Sequence, residues 1–231
     1  MFIVRFFQSG GVFMFPILMV LVVGIVIAVE RWIQLKKVKN ENSQAWDSLY
    51  PVLEKGEFDN AREITGKGKS SMEQMLGMGL ARQGAVRRRE DIEIAMEESL
   101  MEIVPQLEKR TPYLALLSNI ATLFGLLGTI MGLINAFAAV ATASPASKAA
   151  LLAASISEAM NCTAFGLMSA IPLLLLHARL TTTTGQIVNS LEMAALKALN
   201  TISNFAKPQY DRTPVVTDAQ LSGADNAKKT A

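Results

Sequence analysis

Apolar residues are concentrated in three long runs of the chain, and each run is free or nearly free of charge. The runs cover residues 6–29, 111–147 and 149–176. Glu158 is the one charged residue within them. A helix rises about 1.5 Å per residue, so each run is long enough to cross the roughly 30 Å hydrocarbon core of a bilayer. The pattern predicts transmembrane helices at about 12–32, 113–141 and 149–177.

The first apolar run has an alternative interpretation as a cleaved signal peptide. Such a peptide has a basic region before its apolar segment and a small-x-small cleavage site after it. Here Arg5 supplies the only basic charge before the run, and no small-x-small site precedes Glu30. We therefore interpret the run as a membrane helix.

The polar parts of the chain are predicted to be helical as well. Short amphipathic helices are expected between residues 40 and 84, one of them bearing Trp46, Leu49 and Leu53. From Arg87 onwards, apolar residues at near-helical spacing predict one long helix that runs into the second span. A further helix at 178–206 extends the third span. The tail, 207–231, lacks an apolar stripe and is predicted to be disordered.

The basic residues that flank the spans predict the orientation of the chain. They are concentrated after the first span, before the second and after the third, and include Lys36, Lys37, Lys39, Lys109 and Arg179. Cytoplasmic loops carry an excess of Lys and Arg. We therefore expect residues 1–32 to hold a periplasmic N-terminus and the first span, 33–112 and 178–206 to be cytoplasmic, and 142–148 to form a periplasmic turn.

Composition excludes several classes of function. A single cysteine, Cys162, cannot form a disulfide within the chain, and with His177 as the one histidine a conventional Cys/His zinc site is excluded. The 22 basic and 20 acidic residues nearly cancel, so no overall charge favours nucleic acid. Ser155 and Ser169 lack an intramembrane histidine as base. We expect no metal, no cofactor and no enzymatic activity.

Three polar residues within the apolar runs are candidates for an ion pathway. Thr129 lies sixteen residues before position 145, and Thr163 lies eighteen residues after it. Antiparallel helices that turn there would hold both hydroxyls within about 3 Å of the same depth. The carboxylate of Glu158 costs about 3 kcal/mol in a span unless it faces protein, water or a partner. The alternatives are that either threonine bonds its own helix, and that Glu158 lies near the outer surface or is protonated.

Small residues accompany both threonines along their helices. Gly125, Gly128 and Gly132 occur in the second span, and Gly166 occurs in the third. Such stripes let membrane helices approach closely, and their ordinary meaning is helix packing. Here they predict a tightly packed pair of helices that presents hydroxyl groups to an interior.

Sequence motifs in all three spans resemble those of the ExbB/TolQ/MotA family of ion-channel motor subunits. The matching segments are GGVFMFPIL at 10–18 before Glu30-Arg31, GLLGTIMGL at 125–133, ISEA at 156–159, TAFGL at 163–167 and AIP at 170–172. They occur in the expected order and cover most of residues 10–200. Three spans resemble the ExbB and TolQ branch more than MotA.

The resemblance implies an all-α integral membrane protein that forms a homopentameric bundle in the bacterial inner membrane. In the family, the pentamer encloses the single spans of two ExbD- or TolR-like partners and acts with a TonB- or TolA-like energy transducer. Threonines matching Thr129 and Thr163 line the ion route, the glutamate matching Glu158 lies above it, and the essential aspartate belongs to the partner. Besides these proteins, we expect membrane lipid as a partner and no nucleic acid.

This sequence departs from the family pattern at Asn161 and Cys162, where small apolar residues are commoner. The departure leaves open the choice between protons and sodium, and which system is energised. Outer-membrane transport or envelope maintenance, gliding or another specialised motor, and a scaffold that conducts no ions are the functions to be distinguished.

Overall fold

The computed structural model describes residues 10–83 and 89–206, and these residues form six α-helices and no β-strand. In chain order the helices are α1 (Met14–Glu54), α2 (Phe58–Lys67), α3 (Ser71–Arg82), α4 (Arg89–Glu108), α5 (Pro112–Thr142) and α6 (Lys148–Ala206). The predicted beginning of the periplasmic segment, 1–9, and the predicted disordered tail, 207–231, lie outside the described residues.

Helices α1, α5 and α6 are each long and apolar enough to cross a membrane. Helices α5 and α6 pack against each other along their apolar parts, and α1 packs against both. Large apolar side chains such as Phe15, Val26, Leu123, Ile134 and Leu175 are exposed on this three-helix bundle. A surface of this kind suits lipid or neighbouring membrane helices. For the described residues, the predicted all-helical architecture with three helices that could span a membrane is confirmed.

Helix α1 continues well beyond its apolar part. The sequence predicts a separate short helix around Trp46, Leu49 and Leu53, but these residues belong to the last turns of α1. The polar residues after Trp32 include no glycine or proline before Pro51, so nothing in them interrupts the helix. The helix ends at Glu54, just before Gly56 takes a φ of 76° that favours glycine.

The extended part of α1 joins a second, polar region of the molecule. This polar region comprises α2, α3, α4 and the parts of α1 and α6 that lie beyond the apolar segments. Its core is formed by large side chains from α1, α3, α4 and α6, which include Leu49, Met75, Leu76, Met96 and Leu191. Helices α1 and α6 therefore extend from the membrane bundle into this core.

The long helix predicted from Arg87 into the second span is interrupted. Helix α4 ends at Glu108 and α5 begins at Pro112. Between them Arg110 has a φ of 65°, a left-handed backbone conformation that residues other than glycine rarely adopt. Pro112 has no N–H to donate to a preceding turn, and it occupies the first position of α5, where none is required. Pro112 thus marks a helix boundary, whereas Pro105 lies within α4.

Polar contacts tie this boundary to α1. Arg31 is 4% exposed, and its guanidinium donates hydrogen bonds to the carbonyl oxygen of Leu107 and, at 2.6 Å, to Oε1 of Gln34. The neighbouring Glu30 forms an ion pair with Arg110 at 2.6 Å. The boundary between α4 and α5 is consequently fixed against α1 where the apolar segments end.

Candidate ion pathway

The site is built around two threonines on facing helices. Thr129 of α5 and Thr163 of α6 are both half-buried, and their Oγ1 atoms form a hydrogen bond. The structure thus brings together the two hydroxyls that the sequence places at similar depth. We refer to these two residues as the threonine pair.

Backbone carbonyl groups complete the surroundings of the threonine pair. The Thr163 hydroxyl donates to the carbonyl oxygen of Gly125 on the other helix, at 2.9 Å. The Thr129 hydroxyl lies 3.2 Å from the carbonyl oxygen of Ala159 and 3.3 Å from that of Gly125. Each hydroxyl carries one hydrogen and two lone pairs, and a carbonyl oxygen only accepts. The group therefore has more acceptors than donors, which suits it to receive a hydrogen-bond donor or a cation.

The threonine pair lies midway along the apolar part of α6. Thr163 follows Lys148 by fifteen residues and precedes His177 by fourteen. At helical rise it is about 22 Å from the first and about 21 Å from the second. Next to the threonine pair, α1 contributes Ile17 to a buried apolar cluster with Cys162 and Ala170. The hydroxyl groups are thus set in surroundings that are otherwise largely apolar.

Glycines bring the two helices close enough for these contacts. A Cβ atom at Gly166 would lie 2.9 Å from both the carbonyl oxygen of Ala121 and the Cα of Gly125. One at Gly125 would lie 3.2 Å from the Cα of Gly166. Both would meet backbone atoms, which cannot rotate away as a side chain can. Close packing of α5 on α6 therefore depends on glycine at both positions.

The other two predicted packing glycines face small side chains. A Cβ at Gly132 would lie 2.8 Å from the Cβ of Ala159, and one at Gly128 would overlap the Sγ of Cys162. Cys162 is 1% exposed. It thus fills the space that Gly128 leaves.

Glu158 lies apart from the threonine pair, towards the end of the bundle where residues 143–147 join α5 to α6. It precedes Thr163 by five residues, or about 7.5 Å of helix. Its carboxylate contacts the backbone at Gly11, where a side chain would overlap Oε1. Gly11 has a φ of 73°, and the helix α1 begins three residues later. The carboxylate is exposed and lies near the helix end where the peptide dipoles favour negative charge.

Two polar features of the bundle were not anticipated from the sequence. Ser118 of α5 is buried and donates to the carbonyl oxygen of Ala170 at 2.9 Å, which adds a second link between α5 and α6. The Ser169 hydroxyl is buried and has no hydrogen-bond partner among the described residues. Ser118 precedes Gly125 by seven residues, as Gly125 precedes Gly132. That spacing places all three on one helix face, and it could have indicated that Ser118 also faces α6.

The family of the chain follows from comparison with known proteins. Residues 67–193, just over half of the chain, match the model of the MotA/TolQ/ExbB proton channel family. The protein therefore belongs to this family. With its three apolar helices, this membership points to a multi-pass protein of the inner membrane.

Individual relatives support the ExbB and TolQ branch. Over 86 residues the chain is 36% identical to the Tol-Pal system protein TolQ of Haemophilus influenzae. The aligned segment covers 37% of each protein. Over 172 residues it is 29% identical to an ExbB-like protein of Synechocystis sp., whose name refers to biopolymer transport, covering 71% of this chain and 65% of the relative. It is 25% identical over 193 residues to an ExbB homologue of Methanothermobacter thermautotrophicus, covering 83% of this chain and 67% of the relative. The match thus spans less than two fifths of the Tol-Pal relative and about two thirds of the other two.

Proposed function

We propose that the protein is a stator and channel subunit that converts proton or sodium flow across the bacterial inner membrane into mechanical work. The observation that carries this proposal is the threonine pair, which places interacting hydroxyl and carbonyl groups midway along two apolar helices. Membership of a proton channel family supports it. The protein has no enzymatic role in this proposal.

The proposed topology has the N-terminus and the turn at 142–148 in the periplasm, and the polar region and C-terminus in the cytoplasm. It is supported by Lys36, Lys39 and Arg179, which lie on the same side of the apolar segments, whereas Glu158 and Lys148 lie towards the other. An excess of basic residues marks the cytoplasmic side.

The proposed assembly is a homopentamer around a dimer of a single-span ExbD- or TolR-like partner. The exposed apolar faces of α1, α5 and α6 offer surface for both subunits and lipid. In the described part of α5 and α6, no charged side chain lies in the middle of the apolar segments. The nearest one, Glu158, is about 7.5 Å from Thr163 along the helix. A titrating carboxyl must then come from another chain.

The threonine pair would act on that carboxyl through hydrogen bonds. A protonated partner carboxyl is a donor, and the surplus acceptors around Gly125 would bind it. Its carboxylate form is an acceptor and would bind through a rotated threonine hydroxyl. Each unit charge that crosses 100 mV releases about 2.3 kcal/mol. Alternation between the two forms could drive relative rotation of the subunits, and a TonB- or TolA-like transducer would carry the work to the envelope.

A scaffold without ion conduction is the second candidate function. It is favoured by the hydrogen bonds that both hydroxyls already make, since these bonds hold α5 to α6 without any ion. Within the channel proposal, gliding or another specialised motor is the alternative to outer-membrane transport and envelope maintenance.

Substitution of the threonine pair distinguishes a channel from a scaffold. Thr129→Val and Thr163→Val nearly preserve shape but remove the hydroxyl. We expect ion flux with a co-expressed partner to fall by about tenfold or more, since a hydrogen bond to a charged group contributes about 1.5–3 kcal/mol. Serine at either position should retain more flux. Thr122→Val is the matched control, because the Thr122 hydroxyl donates to the carbonyl of Ser118, one turn earlier in its own helix.

The measurement is made at equal amounts of assembled complex, so that weaker packing is not mistaken for slower conduction. If the two side chains serve only to fill space, the order is the opposite: valine should be tolerated, and serine, which lacks a methyl group, should cost about 1 kcal/mol in a tight core. Equal flux in the wild type, both valine variants and the Thr122→Val control would remove the threonine pair from the ion route.

A further inference from the structure

A cavity of about 220 Å³ lies between α1 and α6, on the side of the apolar segments away from Glu158. Its lining includes three basic residues, Lys36, Lys39 and Arg179, together with Trp32, Leu35 and Leu180. We refer to it as the basic cavity. None of the acidic residues in the described ranges lines it.

The positive charges of the basic cavity are not neutralised within the described residues. The side chains of Lys36 and Arg179 make no ion pair there, and Lys39 makes one long hydrogen bond, 3.4 Å from Nζ to Oε1 of Gln186. The acidic residues nearest along α1 are engaged elsewhere: Glu30 pairs with Arg110 and Glu41 pairs with Lys37. Three cationic groups that carry only donors therefore share one recess.

The inner surface of the basic cavity is apolar. Leu35 and Leu180 are 1% and 2% exposed, and Trp32 is 49% exposed. Tryptophan is enriched where the hydrocarbon meets the headgroups, because its ring is apolar and its N–H is polar. A ligand that complements this recess has an anionic group for the basic side chains and an apolar part for Trp32.

The position of the basic cavity matches the headgroup layer of a membrane. Arg179 follows the last residue of the third apolar run by three positions, and Trp32 follows the first run by the same number. Basic recesses between transmembrane helices at the cytoplasmic side are suited to anionic lipid headgroups. Lysine and arginine side chains also reach towards the headgroups from such positions.

We propose that the basic cavity binds the phosphate headgroup of an anionic phospholipid, with an acyl chain lying along Trp32. Lys36 and Arg179 donate to the phosphate oxygens from opposite helices, so the lipid joins α1 to α6 at the membrane surface. The leaflet is the cytoplasmic one, a point that rests on the proposed topology. The binding site itself is independent of ion conduction.

The test is retention of lipid by the purified full-length protein. The protein is exchanged into mild detergent that contains equal phosphatidylglycerol and phosphatidylcholine, and bound lipid is measured by native mass spectrometry. We expect preferential retention of phosphatidylglycerol. The double variant Lys36→Gln, Arg179→Gln should weaken it about 25-fold, since each basic residue near the surface changes affinity about fivefold.

Lys37→Gln is the matched control. It removes one positive charge, as Lys36→Gln does, one residue further along α1, but the Lys37 side chain is 73% exposed and 3.8 Å from Glu41, outside the basic cavity. Its phosphatidylglycerol affinity should stay within about twofold of the wild type. Comparison with this variant separates a defined site from general attraction between the protein and anionic lipid.

Four results would overturn the proposal. The first is equal retention of both lipids, and the second is an equal loss of phosphatidylglycerol in the double variant and in the Lys37→Gln control. The third is displacement of phosphatidylglycerol by millimolar inorganic phosphate. The fourth is a double variant whose subunit number changes while its lipid retention does not. The third would assign the basic cavity to free phosphate and the fourth to a neighbouring subunit. No ion gradient is applied in this test, so a negative result for lipid binding does not bear on the proposed motor function. A loss of ion flux in the threonine variants likewise does not bear on lipid binding.

Discussion

Substitution of Gly166 by alanine tests whether close contact between α5 and α6 supports the site. The added Cβ would lie 2.9 Å from two backbone atoms of α5, at Ala121 and Gly125. Ordinary carbon contacts lie at about 3.5–4.0 Å, so the helices must separate by about 0.6–1 Å. The Thr163–Gly125 hydrogen bond, now 2.9 Å, would then be stretched to about 3.5 Å or more, where it no longer qualifies as one.

The energetic magnitude follows from two opposing terms. Overpacking of a tight interior destabilises by about 1–3 kcal/mol. Alanine in place of glycine inside a helix contributes about 1 kcal/mol in the opposite direction. Gly185→Ala is the matched control, because Gly185 lies in α6 and a Cβ there would meet nothing within 4 Å. The difference between the two variants therefore isolates the overpacking, and we expect about 1–3 kcal/mol.

Thermal unfolding of both variants in the same detergent measures this difference. For a chain of this size, 1 kcal/mol corresponds to about 2–4 °C in the unfolding midpoint. Gly166→Ala should unfold at a lower temperature than Gly185→Ala and should conduct less at equal amounts of assembled complex. If Gly166→Ala matched or exceeded Gly185→Ala in midpoint, the close approach of α5 and α6 would not hold in the membrane.

Two further predictions concern topology and assembly. Cysteines introduced at Ser144 and Ser147 should react with impermeant thiol reagents added to spheroplasts, and one at Ser70 should not; labelling at Ser70 in intact spheroplasts would reverse the proposed orientation. Native mass measurement in mild detergent should give about five chains, because small-residue stripes and exposed apolar helices favour close packing, whereas a stable monomer would contradict the pentamer.

Regular helix geometry explains which parts of the site could be predicted. The similar depth of Thr129 and Thr163 follows from residue counting, since two antiparallel helices joined by a short turn advance by the same rise per residue. Their contact depends in addition on which faces of α5 and α6 meet. The three apolar helices follow from their length and lack of charge. Both inferences depend only on periodic structure, which the sequence specifies locally.

The contacts that were missed depend on backbone conformation at single positions. The helix boundary at Arg110 requires a left-handed conformation that its residue type does not favour, and the ion pair with Glu30 joins segments 80 residues apart. The approach of Glu158 to Gly11 similarly requires a positive φ at Gly11 and the packing of α1 on α6. Tertiary contacts of this kind leave no periodic pattern in the sequence.

The unequal continuity of the helices has a mechanical consequence. Helix α6 runs without a break for 59 residues, about 88 Å, whereas the chain between α4 and α5 is broken at residues 109–111. A tilt of α6 at Thr163 would therefore reach the polar region within one continuous helix, in which Pro172 is the position that lacks a backbone N–H donor. Helix α5 has no such continuity with α4, and the boundary between them is held instead by the contacts that Arg31 and Glu30 of α1 make with Leu107 and Arg110. In the proposed motor, movement would thus leave the membrane along α1 and α6, the two helices of each subunit that continue into the polar region, and not directly along α5.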